Sequence, residues 1–244
     1  MTHDVLPPFR NAALLLDLDG TLLDIASAPD KVVVPSGLTG TLHSLRPLLG
    51  DALAVITGRP VETVDALLGD APFAVAGEHG GAIRYAPGLV LERPDLPAPP
   101  ESWFAAAERI AAAHPGALLE RKARGFAMHF RAVPAAGPEL HDALTALLAG
   151  SADFELLAGQ MMWEVRPRGV NKGTAVARLM ARAPFLGRLP VFIGDDVTDE
   201  DGIAEALALG GVGLRVPESF GDAAGVRAWL EATAAVGQWA AGLS

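Results

Sequence analysis

Ala12-Ala13-Leu14-Leu15-Leu16-Asp17-Leu18-Asp19-Gly20-Thr21-Leu22 is the stretch on which the reading of this chain turns. Five apolar residues without a polar interruption suit a strand buried on both faces, as inside a parallel sheet. The run then delivers Asp17 and Asp19, and Gly20 supplies a sharp exit. Both acids are thereby offered at the strand's C-terminal edge, where open α/β sheets bind ligands. Two anions this close raise each other's pKa unless a cation lies between them. A hard divalent ion with oxygen ligands, Mg²⁺ above all, meets that demand.

The same construction recurs downstream. Ala52-Leu53-Ala54-Val55-Ile56 predicts a second buried strand, ending in Thr57-Gly58-Arg59-Pro60. Pro60 suits the first turn of a helix that carries Val61, Val64, Leu67 and Leu68 on one face. A threonine hydroxyl with neighbouring amides beside a helix N-terminus is an anion-binding geometry. A further run, Leu189-Pro190-Val191-Phe192-Ile193, leads into Gly194-Asp195-Asp196-Val197-Thr198-Asp199-Glu200-Asp201. Residues 195–201 hold five acids in seven positions, a second cluster that demands a cation. Ahead of it, Gly169-Val170-Asn171-Lys172-Gly173 opens a helix with Val176, Leu179 and Met180. A cation at a helix start opposes the dipole unless an anion is bound there. Lys172 is one of only three lysines among 19 basic residues, with Lys31 and Lys122. A chain so biased to arginine keeps lysine where a compact ammonium fits and a planar fork does not.

Composition narrows the partners. The chain has 244 residues, 50% hydrophobic and 20% charged, enough for a substantial core and unlike a disordered sequence. The absence of cysteine excludes disulfides and thiolate metal sites. A net charge of −10 speaks against nucleic acid and anionic membranes as partners. No apolar run approaches the ~20 residues that span a bilayer. Met1-Thr2-His3-Asp4 shows neither a basic region nor an apolar signal core. A cytoplasmic protein is expected, and a monomer, since nothing resembles a coiled coil or a long interface helix.

The pattern changes in the middle of the chain. Arg93-Pro94-Asp95-Leu96-Pro97-Ala98-Pro99-Pro100 is its most proline-dense segment and reads as a stiff linker. Beyond it a helix over 101–114 is followed by strands at 117–123 and 126–133, with Arg124-Gly125 between them. A helix over 138–148 and strands at 154–157 and 161–165, turned by Ala158-Gly159-Gln160, repeat the order. Helix–strand–strand, twice, describes a small α+β unit with an antiparallel sheet. Alternation puts Phe126, Met128 and Phe130 on one face and Ala127, His129 and Arg131 on the other. Met161, Trp163 and Val165 likewise oppose Met162, Glu164 and Arg166. One face is expected to pack on the helices. The other presents His129, Arg131, Glu164 and Arg166, joined by Glu120 and Lys122. The expected fold class is therefore α/β, a doubly wound parallel-sheet core of residues 1–93 and 168–244 with a smaller α+β domain, 94–167. An ordinary solvated sheet face remains the simpler reading of the polar residues of that domain.

Asp17-x-Asp19, Thr57, Lys172 and Asp195-Asp196, in that order, resemble the motif set of the haloacid dehalogenase (HAD) phosphatases, and the insert resembles their C2-type cap. Further segments resemble the trehalose-phosphatase family within that superfamily. They are Gly77-Glu78-His79-Gly80, Phe126-Ala127-Met128-His129-Phe130-Arg131, Glu164-Val165-Arg166-Pro167-Arg168-Gly169 and Gly194-Asp195-Asp196-x-Thr198-Asp199-Glu200. The likeness spans roughly residues 14–216. Thr57 stands where the family more often has serine, and the hydroxyl is retained. The resemblance implies Mg²⁺-dependent hydrolysis of trehalose 6-phosphate through an aspartyl-phosphate. Asp17 would be the nucleophile and Asp19 the acid and base. Asp17, the Asp19 carbonyl and Asp195 would hold the metal, with Asp196 and Asp199 behind them. Thr57, Gly58 and Lys172 would bind phosphate. Arg59, His79, Glu120, Lys122, His129, Arg131, Glu164 and Arg166 would bind the sugar-phosphate substrate, the cap face closing over it. The same core could serve another sugar phosphate, of the sucrose or mannosylglycerate type, or a phosphomutase. A catalytically silent sugar-phosphate-binding module is the alternative outside enzymes, and the presence of both Asp17 and Asp19 counts against it.

Overall fold

The computed structural model describes residues 6–26, 31–122 and 124–241. The chain divides into two compact units, Met1–Arg93 with Asn171–Ser244, and Pro94–Val170.

The larger unit is built on a six-stranded sheet in the order β10-β9-β1-β2-β3-β4. These strands are β1 (Ala12–Leu16), β2 (Leu53–Ile56), β3 (Ala74–Gly77), β4 (Ala82–Arg84), β9 (Leu189–Gly194) and β10 (Val212–Arg215). All pairings are parallel except β3 with β4. Every residue of β1 is buried, as its unbroken apolar run predicts. Alternate side chains feed two cores. Leu14 and Leu16 pack with α1 (Leu38–Leu48), α2 (Val61–Leu68) and α7 (Ala223–Val236). Ala13 and Leu15 pack with α5 (Lys172–Met180) and α6 (Glu200–Ala208). Burying a leucine of this kind is worth roughly 1.5–3 kcal/mol, so a polar residue within the run would destabilise one of the two layers.

The topology also fixes where a ligand can bind. From β1 the chain runs outward through β2 and β3 on one side and returns through β9 and β10 on the other. The strand order therefore reverses at β1, and the crevice of an open α/β sheet lies beyond the carboxyl ends at that point. Asp17 follows β1, Thr57 follows β2 and Asp195 follows β9.

The smaller unit has a four-stranded antiparallel sheet in the order β5-β6-β8-β7, with α3 (Glu101–Ala113) and α4 (Gly137–Leu147). Its strands are β5 (Leu118–Lys122), β6 (Gly125–His129), β7 (Phe154–Gly159) and β8 (Met162–Pro167). Phe126, Met128 and Val165 form its core with Phe104 and Leu140 from the helices. The expected alternation holds, since Phe126 pairs with Val165 and Ala127 with Glu164.

Strand ends differ from the sequence reading, for local reasons. Gly125 is not a turn residue. It pairs with Lys122, and a Cβ there would lie 2.1 Å from the Val165 carbonyl oxygen, so only glycine lets β8 approach. The strand expected to run to residue 133 stops at His129, because the Val133 amide turns back onto the Phe130 carbonyl at 2.9 Å ahead of Pro134. The β7–β8 hairpin is longer than expected. Gly159 still pairs with Met162, leaving Gln160 and Met161 as the loop, with Met161 left-handed at φ 60°. Ala123, where the first of the expected strands ends, and Met1-Thr2-His3-Asp4 lie outside the described residues.

Candidate active site

Asp17 is the first residue past β1, and its amide donates to the Ile193 carbonyl at 2.9 Å, which ties it to the end of β9. Its side chain is almost fully buried. Lys172 Nζ lies 2.5 Å from Asp17 Oδ1 and 2.6 Å from Asp199 Oδ1. The lysine reaches them from the first turn of α5, which Asn171 and Thr174 cap reciprocally. A buried ammonium against the positive end of a helix is unfavourable on its own. Burial alone would push the Lys172 pKa down, but Asp17 and Asp199 outweigh it and hold the group above its usual value.

Asp199 is aimed by the backbone around it. Its Oδ2 accepts the Asp195 and Asp196 amides, each at 3.1 Å. Gly194 makes room for it, since a Cβ there would lie 2.2 Å from the Asp199 carboxyl carbon. Asp196 faces away and caps the turn by accepting the Thr198 amide at 2.8 Å. Asp195 takes a hydrogen bond from the Thr21 hydroxyl at 3.3 Å. Its carboxylate presses on Gly20, which is left-handed at φ 84° and where a Cβ would meet Asp195 Oδ2 at 2.1 Å.

Asp17, Asp195 and Asp199 can each offer an oxygen within 4.8 Å of the others. Burial, with Asp195 adding to it, raises the Asp17 carboxyl to about 7 against the pull of Lys172. Burial and the neighbouring Asp199 and Asp196 raise Asp195 to about 6. Carboxyls forced up in this way are an incomplete charge balance, and a divalent cation with oxygen ligands would complete it. The residues present fit such an ion.

Asp19 stands apart from that cluster. Both of its oxygens accept from Arg59, Oδ2 from Nε at 2.6 Å and Oδ1 from Nη2 at 2.8 Å. Sequence reasoning puts Arg59 on the substrate; its guanidinium lies on Asp19. Thr57 is buried at the end of β2, and its Oγ1 accepts the Arg59 amide at 3.1 Å. His79 lies behind this turn. Its amide donates to the Thr57 carbonyl at 2.9 Å, and a Cβ on Gly58 would meet its Nε2 at 2.7 Å. Glu78 and His79 are both left-handed, at φ 53° and 56°. Non-glycine residues held this way cluster at functional sites.

In the smaller unit, the sheet face opposite the helices carries the residues that alternation assigns to it. Lys122 Nζ lies 2.6 Å from Glu164 Oε1, and His129 Nε2 lies 2.8 Å from Glu120 Oε2. Arg166 Nε donates to Glu155 Oε1 at 2.9 Å. Arg131 lies past the strand end, exposed, with Nη2 3.5 Å from Gln160 Oε1. Thr21 and Glu155 are the members that sequence reasoning missed. Thr21 lies inside the opening motif, and strand alternation from Phe154 would have put Glu155 opposite Arg166.

A parallel sheet with an aspartate pair at its switch point, a lysine on a helix start and an acid cluster one strand away define a HAD-type phosphatase core. The fold agrees with the solved C-terminal domain of Candida albicans trehalose-6-phosphate phosphatase, at a TM-score of 0.70 and 24% identity over 80% of this chain and 73% of that one. A family model described as trehalose-phosphatase matches residues 15–209. A probable trehalose-phosphate phosphatase of Sinorhizobium fredii is 40% identical over 84% of this chain and 78% of its own length. Escherichia coli trehalose-6-phosphate phosphatase is 39% identical over 84% of this chain and 77% of its own. The chain belongs to the trehalose-phosphatase family, and the family implies a divalent metal that the acid cluster can accommodate. Among the described residues no helix is long and apolar enough to cross a membrane.

Proposed function

We propose that this protein hydrolyses trehalose 6-phosphate to trehalose and phosphate in two phosphoryl transfers. The observation that carries the reading is Asp17, buried at the switch point of a trehalose-phosphatase fold with Lys172 on one oxygen. An Asp17 oxygen attacks phosphorus and the bond from phosphorus to the sugar oxygen breaks, leaving an aspartyl-phosphate. Asp19 gives its proton to the departing sugar oxygen. In the second transfer it takes a proton from water as that water attacks phosphorus and the Asp17–phosphate bond breaks. Such a group is worth ~10²–10⁴-fold. The Thr57 hydroxyl, the Gly58 amide and the Lys172 ammonium bind the non-bridging phosphate oxygens and position them. Asp199 holds Lys172 in place, and Asp196 shapes the turn that carries Asp195.

Mg²⁺ would be the ion, and Asp17, Asp195 and the Asp19 carbonyl would hold it. When bound it supplies the positive charge that lets one anion approach another. Glu120, Lys122, His129, Glu164 and Arg166 bind the hydroxyls of the disaccharide, with His79 supporting the phosphate turn and Arg131 at the margin. A monomeric cytoplasmic enzyme acting on a small sugar phosphate, without nucleic acid or membrane, is the corresponding cellular picture.

Phosphate release from a panel of sugar phosphates, with and without Mg²⁺, tests the reading. Trehalose 6-phosphate should lead the panel in kcat/KM, and chelator should abolish turnover. Equal or faster release from sucrose or mannosylglycerate phosphates would move the substrate assignment. Full activity in excess chelator would remove the metal.

A further inference from the structure

The pairing of Arg59 with Asp19 is held at both ends. On the arginine side, the Arg59 amide donates to Thr57 Oγ1 at 3.1 Å and its carbonyl accepts the Glu78 amide at 3.0 Å. A Cβ on Gly77 would lie 2.6 Å from that carbonyl oxygen, so only glycine lets the end of β3 approach the turn this closely. Pro60 follows and fixes the next φ. On the aspartate side, the turn is closed by the Leu23 amide on the Leu18 carbonyl at 2.8 Å and the Gly20 amide on the Leu23 carbonyl at 2.7 Å. Between these two rigid turns the guanidinium meets the carboxylate with two parallel bonds of 2.6 and 2.8 Å. A planar fork fixes the orientation of a carboxylate as well as its charge, which a single ammonium cannot do.

We propose that Arg59 is a positioning residue for Asp19, setting the rotamer from which that carboxyl exchanges its proton, and that it does not read the sugar. The inference rests on the acid–base assignment of Asp19 made above. A carboxyl has about four lone-pair positions and the fork occupies two. Asp19 can therefore serve the reacting oxygen while Arg59 still holds it. The contribution of Arg59 is bounded by what Asp19 itself supplies, because it acts only through that group. Misplacing a reacting group by about 1 Å can cost ~10²-fold.

The test is a series of phosphate monoesters whose leaving groups run from a dinitrophenol, which departs without a proton, to a simple alcohol, which needs one. The parameter kcat/KM reports the first phosphoryl transfer. It is measured for wild type, Arg59→Gln and Arg59→Lys, each alone and combined with Asp19→Asn. Loss in Arg59→Gln should grow along the series, from less than about threefold with the dinitrophenyl ester to ~10²-fold with the alkyl ester. Arg59→Lys should resemble Arg59→Gln, since it keeps the charge and lacks the fork. On the Asp19→Asn background, replacing Arg59 should cost less than about threefold, because coupled residues are not additive. Equal losses along the whole series would assign Arg59 to the phosphate or to folding. A loss confined to the disaccharide substrate would assign it to the sugar. Full rescue by lysine, or additive losses in the double variant, would likewise overturn the proposal. If Arg59→Gln fails to fold, the lysine variant and its double carry the comparison. An Asp19→Asn enzyme with wild-type rates throughout would defeat the acid–base reading itself. An Asp19-dependent series indifferent to Arg59 would defeat this inference alone.

Discussion

In the larger unit Asp17, Asp195 and Asp199 crowd their oxygens within 4.8 Å, with Lys172 bonded to two of them. On the sheet face of the smaller unit Lys122 meets Glu164, and Glu155 meets Arg166 with Arg168 at 3.7 Å, so each anion has a cation beside it. The first arrangement is unfinished without added positive charge; the second is balanced. On the function proposed above, that difference would match the two ends of a sugar phosphate. The phosphate end is a dianion whose transfer needs cations already in place. The sugar end is neutral, and paired side chains can exchange hydrogen bonds with hydroxyls without stranding a charge.

The largest effect is expected at the nucleophile. Asp17→Asn removes the attacking oxygen and a metal ligand but almost no volume, and Lys172 keeps Asp199. Phosphate release should fall by at least ~10⁴-fold with circular dichroism unchanged. Retained turnover would make the cluster an electrostatic site and end the aspartyl-phosphate mechanism.

Glu164→Ala should lower kcat/KM for trehalose 6-phosphate by roughly 10²-fold, about 2.7 kcal/mol at the transition state, with turnover of a small aryl phosphate unchanged. Lys122 is only 16% exposed at its side chain, so the alanine variant also strands an ammonium. Glu164→Gln keeps a partner for it and separates recognition from stability. Equal losses on both substrates in the glutamine variant would mean that this face supports the fold and does not read the sugar.

These predictions lean on a sequence that disclosed the two units unequally. The core was legible because its strands are continuous apolar runs that end in polar residues, so one pattern marks both the element and the site. β1 and the acids after it need no tertiary information. The smaller unit's faces were legible from alternation, but its turns were not. Gly125 and Gly159 read as turn residues, whereas the first is demanded by a neighbouring strand's carbonyl, a contact 40 residues away in sequence that no local pattern encodes. The partner of Arg59 was hidden for the same reason. Asp19 lies 40 residues from it, and only the adjacency of β1 and β2 brings them together.

A smaller effect should appear in metal binding. Burial raises both Asp17 and Asp195, with Asp195 adding to Asp17, which reaches about 7, and Asp199 and Asp196 adding to Asp195, which reaches about 6. A metal ion must displace those protons, so its Kd should weaken by about tenfold or more from pH 8 to pH 6. The metal-free protein carries the matching sign. Between about pH 4 and 7 the folded state keeps protons that the unfolded chain has released, so stability falls as pH rises through that window. Calorimetric titration with Mg²⁺ at the two pH values checks the first statement, and thermal melts in chelator check the second. A Kd independent of pH would show that the carboxylates are already ionised and balanced.

The smallest effect belongs to Glu120 and His129, and it should carry the opposite sign. The His129 hydrogen bond, with Lys122 adding to it against partial burial, holds the Glu120 carboxyl below its ordinary value. A depressed carboxyl contributes stability above its unfolded pKa of ~4.3, and that contribution disappears as pH falls through the folded value. The Glu120 side chain is 44% exposed, so the pair is worth only about 0.2–1 kcal/mol, as for other solvent-screened pairs. In a chain of this size that is a shift of at most ~4 °C in Tm. Glu120→Gln should therefore melt slightly below wild type at pH 7 and coincide with it at pH 3. Its kcat on an aryl phosphate should not change, while KM for trehalose 6-phosphate should rise a few-fold if Glu120 meets a hydroxyl. A Tm difference that persists at pH 3 would mean that Glu120 contributes through packing and not through its charge. A difference that grew as pH fell would place it with the crowded acids of the core, and the contrast between the two regions would fail at its most exposed point.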